Sequence, residues 1–463
     1  MTSISDFGRN TEMNQYDPTT PDHYTNHLAE VNETNAVIAT EDIYNKDGML
    51  LVKKGLAIKP EVARRLLNHK LVKPLEVSVN VDDALYGQEI HRDIHQMFDR
   101  FEGLLEIHSS MRLEASLIEV CEKYGGYDLL VQKVTVLCKR LPKEYQKGLF
   151  CAWLSFAMAT RLNLSNEERE AAFMAGLAHD AGMLHIDPQI VAKTGEYTPE
   201  EWRAMQSHTL IGELFLSYIK EIPDVTRRAV KEHHERADGS GYPAGLFEDS
   251  LCIVGQVVAM ADATYAICEK RRFNDKIHLG EVMPVFQIDS SFFPNQVHMA
   301  LMSVLRQVNH AATQQEISGD LSGMSAQLME KRQMLEGVVE SIYALRETLA
   351  EREHIKRMRV AKVKIDRLWT LVTRSGMLSA PLGRWLQHVI ENQIIQTVSR
   401  EIVEMDLMYQ ELQWQLKQLG RVLYLYLEEE KKVTPELRKA LTNSIKVLDM
   451  GAPKSMEKEE KVA

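Results

Sequence analysis

From His91 almost to the C-terminus, the apolar residues of this chain recur at intervals of three and four. Phe98, Phe101, Leu104 and Leu105 fall this way, as do Val131, Val134 and Leu137. Such spacing gives each helix one apolar face that has to be buried against other helices. A pattern sustained for so long predicts a mainly α protein and leaves room for strands only near the N-terminus. With 463 residues, 44% of them hydrophobic and 26% charged, the chain can bury large cores, and two or three domains are expected.

Residues 1–30 are polar, rich in Asn, Asp and Thr, and read as a disordered leader. Residues 31–85 read as a small α+β module. Short β-like runs at Ala36–Ala39 and Met49–Val52 flank Asn45-Lys46-Asp47-Gly48, a hairpin turn, and Pro60 starts a helix through Leu67. The helical text of 91–308 follows, with a compact all-helical core from about 124. Over 315–450, Leu321, Leu328, Leu335, Ile342 and Leu349 fall at sevens, interrupted by Lys331 and Arg352. That spacing predicts a long-helix bundle or coiled coil. The phase resumes at Met358, Ala361, Ile365, Leu368 and Val372; one further helix is expected from about Leu382 to Lys431, its Trp385, Trp414 and Tyr424–Leu427 cluster in the core. A charged tail, 451–463, ends the chain.

The formal charge of −11 and pI near 5.9 argue against a nucleic-acid polymer as partner, because backbone phosphates are bound by clustered basic surface. A small anionic ligand is still compatible with them. The five cysteines are odd in number and scattered through apolar helical text, so they read as reduced packing residues. The most apolar run, 148–159, is too short to span a bilayer, and the N-terminus lacks an apolar signal core, so a cytoplasmic protein without a membrane partner is expected.

Chemistry concentrates between Met174 and Phe273. Here stand His179-Asp180, His208, the doublet His233-His234, and Asp262 on an apolar helix. Imidazoles and carboxylates on apolar faces are costly unless paired or metal-bound, and together these residues offer a mixed nitrogen and oxygen ligand set. Any one of them alone is as readily a surface or core residue. His185, six residues after His179, would lie about 240° away on a helix and reads as surface or loop.

These pieces, with Asp238-Gly239-Ser240-Gly241-Tyr242-Pro243, Gly212, Thr198-Pro199-Glu200-Glu201-Trp202 and Arg271, resemble the HD-GYP domain from about Lys147 to Arg272. HD-GYP domains are a branch of the HD superfamily of metal-dependent phosphohydrolases, found in bacterial signalling proteins that hydrolyse cyclic di-GMP. The resemblance implies that Asp180 bridges two metal ions and is the residue on which catalysis turns. His179 and Asp262 would complete one ion's shell, and His208, His233 and His234 the other's. The set suits Fe, Mn or Zn. Arg271 would clamp substrate phosphate, and Gly241 and Tyr242 would meet the nucleotide, Gly239 and Gly241 permitting positive φ and close approach of backbone amides to a ligand.

The chain departs from the family pattern at several positions. The family's first ligand His falls on Lys147, a Glu that holds a third ion in some members on Lys143, and two phosphate-binding Lys on Met183 and Asn274. The second acid of Asp-x-x-Asp is Tyr265. The resemblance therefore implies one ion more readily than two, or the Lys147 ammonium standing in for the other. Its implied function is a cyclic di-GMP phosphodiesterase of reduced efficiency. The alternative is a non-catalytic module that binds cyclic di-GMP or signalling proteins through the Gly-Tyr-Pro loop and C-terminal helices, and a hydrolase of another nucleotide is disfavoured by that loop. A homodimer through the long helices is expected.

Overall fold

The computed structural model describes residues 16–195, 197–270, 277–279, 283, 286, 293–307, 321–349, 355–374, 376–392, 394–430 and 433–450. They divide into two compact units, the first within 1–237, 241–279 and 296–308, the second within 238–240, 280–295 and 309–463.

The first unit opens with α1 (His23–Val31), which corrects the later part of the expected disordered leader, whose residues 1–15 lie outside the described residues. The Asp22 carboxylate caps the helix by accepting from the Tyr24 amide at 2.9 Å, and Tyr24, Leu28 and Val31 are buried at helical spacing. Polar neighbours hid that short stripe. Strands β1 (Val37–Ala39), β2 (Ile43–Tyr44) and β3 (Leu50–Val52) come next. A hairpin does form around Gly48, at φ 81°, but it joins β2 to β3. After α2 (Pro60–Leu66) comes β4 (Val79–Val81), and this is the strand that β1 pairs with, antiparallel.

Helices α3 (Gly87–Phe98), α4 (Leu104–Ser110), α5 (Glu114–Gly125) and α6 (Asp128–Arg140) follow, with β5 (Phe101–Glu102) between α3 and α4. Next are α7 (Pro142–Arg161), α8 (Asn166–Ala178), α9 (Pro188–Val191), α10 (Pro199–Gln206), α11 (His208–Leu216), α12 (Asp224–Glu232) and α13 (Ile253–Lys270). Strand β6 (Ile277–His278), parallel to β5, and α14 (Asn295–Leu305) complete the unit. Residues 148–159 of α7 are all buried, as expected of a helix that is apolar all round. α7 packs on α8 and α13, and α12 packs on α8 and α13. Among the described residues no helix is long and apolar enough to cross a membrane.

The α+β module is not set apart from the helical region. Lys133 of α6, fully buried, reaches Glu76 at 3.3 Å and donates to His185 Nε2 at 2.9 Å. His185 in turn donates from Nδ1 to Asp22 at 2.7 Å. Of the two places expected for it, surface or loop, His185 therefore takes a turn, and there it is buried. The residues after Asp180 form a 3₁₀ turn, Ala181–His185, so the α-helical angle did not apply to them.

The second unit is a bundle of α15 (Leu321–Leu349), α16 (Lys356–Arg374), α17 (Ala380–Glu391), α18 (Ser399–Glu429) and α19 (Pro435–Met450). Leu328, Leu335, Ile342 and Leu349 of the heptad seam are buried against α16 to α19 of the same chain, so a second copy does not find that seam open. Lys331, which breaks the heptads, reaches Asp406 on α18 at 2.5 Å. Arg352 and the 451–463 tail lie outside the described residues. The helix expected over 382–431 is two helices, parted by a 3₁₀ turn at Ile395–Val398. Of the aromatic cluster, Tyr426 is core, whereas Trp414 and Tyr424 are exposed.

Candidate metal centre

The ends of the packed helices bring the sequence-predicted residues together. His179 closes α8 and Asp180 opens the 3₁₀ turn; His208 starts α11, His233 and His234 follow α12, and Asp262 projects from α13. Two glycines permit the approach. A Cβ on Gly176 would stand 2.6 Å from the Cys151 carbonyl of α7, and one on Gly182 only 2.0 Å from the His208 carbonyl. The Asp180 turn is thus seated directly against the first turn of α11.

Three imidazoles share one orientation. His179 Nδ1 meets the Gly176 carbonyl at 2.8 Å, His208 Nδ1 meets that of Met205, and His233 Nδ1 meets that of Val230 at 2.6 Å. A carbonyl only accepts, so each Nδ1 carries a proton, and the neutral rings of His208 and His233 turn an Nε2 lone pair inward, as metal-ligating histidines do. One ligand atom each of Asp180, His208, His233 and His234 lies within 4.8 Å of the others. His208 Nε2 is 3.4 Å from Asp180 Oδ1 and 3.4 Å from His233 Nε2. Burial first, and nearby positive charge with it, keeps His233 and His234 well below the usual imidazole range; burial also lowers His208. In the neutral forms the Nε2 lone pairs of His208 and His233 face each other, which a cation between them would relieve. Among the described residues, buried Asp180 Oδ1 has no hydrogen-bond partner. The residues present therefore fit a divalent ion at this half of the centre.

The other half is different. Ligand atoms of Cys151, His179 and Asp262 also lie within 4.8 Å of one another, but the Lys147 ammonium enters among these residues. It contacts Asp180 Oδ2 and lies 3.4 Å from Asp262 Oδ1 and 3.2 Å from Glu144. Burial disfavours its charge, yet Asp180, Asp262 and Glu144 outweigh burial and hold it firmly protonated. His179 is likewise opposed by burial and pushed up to about 10 by Asp180 and Asp262. Burial has pushed up the Cys151 thiol, so it is a poor ligand as it stands.

Near the doublet, the Tyr242 ring stacks on His234, centroids 4.6 Å apart. Gly239 has φ 75°, but Gly241 is not among the positive-φ glycines; its Cβ would stand 2.4 Å from the His234 carbonyl, so close packing rather than handedness requires glycine there. Arg271 and Asn274 lie outside the described residues. Lys143 is exposed, Met183 is buried, and Tyr265 packs in the core against Phe101 and Phe150. Sequence reasoning missed Glu144, Cys151 and Glu235. The first two share a face of α7 with Lys147, at three residues before and four after, a signal that helical spacing carried. Glu235, buried, accepts from the amides of Ala244, Gly245 and Leu246 at 2.6–3.0 Å and fastens the loop after Tyr242.

Residues 128–289 match the HD domain family. The chain is 37% identical over 130 residues to a cyclic di-GMP phosphodiesterase of Thermotoga maritima, covering 28% of this chain and 35% of that protein. It is 34% identical over 213 residues to the cyclic di-GMP phosphodiesterase response regulator RpfG of Xanthomonas campestris, covering 44% and 52%. It is 29% identical over 194 residues to 3'3'-cGAMP-specific phosphodiesterase 1 of Vibrio cholerae, covering 42% and 40%. The matched stretches thus span 35–52% of these relatives' own length. Residues 128–289 are thus similar to the HD domain family and, within it, to phosphodiesterases named for cyclic dinucleotides.

Proposed function

We propose that this protein hydrolyses cyclic di-GMP with one divalent ion, Fe, Mn or Zn, held by Asp180, His208, His233 and His234. The observation that carries this reading is the convergence of those four donors, with His208 and His233 each fixed by a backbone carbonyl so that Nε2 points inward. When bound, the ion supplies Lewis acidity toward a phosphate oxygen and a lowered pKa for water. The chain's own groups do the rest. Lys147 sets a permanent positive charge beside Asp180 and Asp262, where it can meet a phosphate oxygen. The Tyr242 ring, stacked on His234, offers a face for a guanine base, and Glu235 holds its loop in place. Cyclic di-GMP and 3'3'-cGAMP, named for the similar proteins above, support a ligand of the cyclic dinucleotide class.

One observation favours a second reading, a module that binds the dinucleotide without turnover. Lys147 takes the position from which a neutral donor would complete a second ion's shell, and an ammonium offers no lone pair. The test is to purify the full chain anaerobically and count metal per chain. The protein is then incubated with cyclic di-GMP and, separately, 3'3'-cGAMP while linear dinucleotide and GMP are followed. Product that falls more than about a hundredfold in Asp180→Ala, with one equivalent of metal lost, supports the enzyme. Bound dinucleotide with no product at any metal loading overturns it in favour of the module.

A further inference from the structure

Away from the HD centre, α3 and α5 carry a second set of ligand-type side chains. His91 and His95 stand four residues apart on α3 and so share a face. Both turn Nε2 to the carboxylate that opens α5: His91 Nε2 is 3.0 Å from Glu114 Oε1, and His95 Nε2 is 3.1 Å from Glu114 Oε2. One ligand atom from each of the three lies within 4.8 Å of the others. Zinc bonds of ~2.0–2.2 Å put tetrahedral ligand atoms about 3.3 Å apart, and each imidazole already stands near that distance from one or the other oxygen of Glu114.

A third histidine, from α4, fixes the carboxylate. The Trp153 indole N–H donates to His108 Nδ1 at 3.2 Å, so the neutral ring carries its proton on Nε2 and donates it to Glu114 Oε2 at 2.7 Å. His108 is nearly buried and, in that tautomer, cannot ligate through Nε2. It is a positioning residue that orients the carboxylate, the arrangement found behind metal-ligating groups. His91 and His95 are partly accessible and Glu114 is exposed, so an ion has a path in.

We infer that His91, His95 and Glu114 form a divalent transition-metal site, with two imidazoles, one carboxylate and a position open to water. Imidazole nitrogen selects zinc and its neighbours over Mg²⁺ or Ca²⁺. The site links α3 to α5, and the α3 segment it grips also bears Asp93, which accepts from the Tyr145 hydroxyl of α7 at 2.7 Å. An ion there braces the helix that carries Lys147.

The test uses the full chain stripped with chelator and titrated with Zn²⁺ against a fluorescent zinc chelator, with thermal unfolding followed in parallel. The double variant His91→Ala/His95→Ala is expected to bind one equivalent fewer than the wild type and to lose that equivalent's share of the zinc-induced rise in Tm. Glu114→Gln should weaken the same equivalent at least tenfold, and it decides the question by itself if the double variant does not fold. A His208→Ala variant must keep this equivalent, which separates it from the HD centre. Equal zinc equivalents and equal affinity in wild type, the double variant and Glu114→Gln would overturn the inference.

Discussion

Lys147 Nζ lies 3.4 Å from Asp262 Oδ1, on the side of the centre where His179 and Asp262 would hold a second ion. A positive charge fixed between two carboxylates repels a divalent cation from the same place, so under the proposed function the half built by Asp180, His208, His233 and His234 would bind alone. Replacing the ammonium with an imidazole removes the repulsion and adds a lone pair. Lys147→His should therefore raise metal content by one equivalent per chain, measured by elemental analysis, and raise turnover of cyclic di-GMP about tenfold or more. Unchanged metal content would mean that Cys151, His179 and Asp262 cannot take an ion even when the charge is gone.

The seat of the Asp180 turn on α11 is testable at Gly182. Its Cβ would fall 2.0 Å from the His208 carbonyl, a backbone atom that cannot swing aside. Gly182→Ala should cost about 1–3 kcal/mol in denaturant unfolding, the usual range for overpacking, and should lower metal affinity because Asp180 and His208 are driven apart. Wild-type stability in this variant would contradict the packing described.

His27 gives a pH dependence of known sign. Burial first, then the Arg140 guanidinium, holds its pKa at about 4, and Arg140 Nε donates to its Nδ1 at 3.2 Å. Between about pH 6.5 and 4 the unfolded chain takes up a proton that the folded chain refuses, so this residue makes stability fall as pH falls through that window, by up to about 3 kcal/mol. In His27→Gln, the loss of unfolding free energy between pH 7 and pH 4.5 should be smaller than in the wild type by about 2 kcal/mol or more. Equal losses in the two proteins would refute the assignment.

Lys133 is buried beside Glu76 and His185. Removing one partner of a buried pair strands the other charge, so Lys133→Met should destabilise by about 3–5 kcal/mol. Lys133→Met/Glu76→Gln should recover much of that loss, and unfolding curves of the two variants and their parent measure it. A double variant no better than the single would mean that Glu76 is not the stranded charge.

Much of the architecture was legible because helical periodicity is a local signal. The buried set of α16, Met358, Ala361, Ile365, Leu368 and Val372, could be written down before any coordinates, and Pro60 marked the start of α2. The ligand set was legible for another reason: its residue types are rare on apolar faces and stood in the order of a known motif. The partner of β1 was not, because a three-residue strand carries too little pattern to choose between Leu50–Val52 and Val79–Val81. Glu144 and Cys151 were passed over because a carboxylate and a thiol on a long helix are ordinary until a neighbour such as Lys147 gives them a task. The buried line from Lys133 through His185 to Asp22 joins segments far apart in the chain, and no local rule could have placed them in contact.

That same line bears on how the protein can be dissected. A fragment beginning at His91 would look from its periodicity like a self-sufficient helical domain, yet it would lack both Glu76 and Asp22. The ring at the far end of the Asp180 turn would lose its anchor, and the face of α6 that Tyr24, α1 and β4 cover would open to water. Trimming the front of this molecule is therefore an intervention at the turn that carries Asp180, carried out from the opposite end.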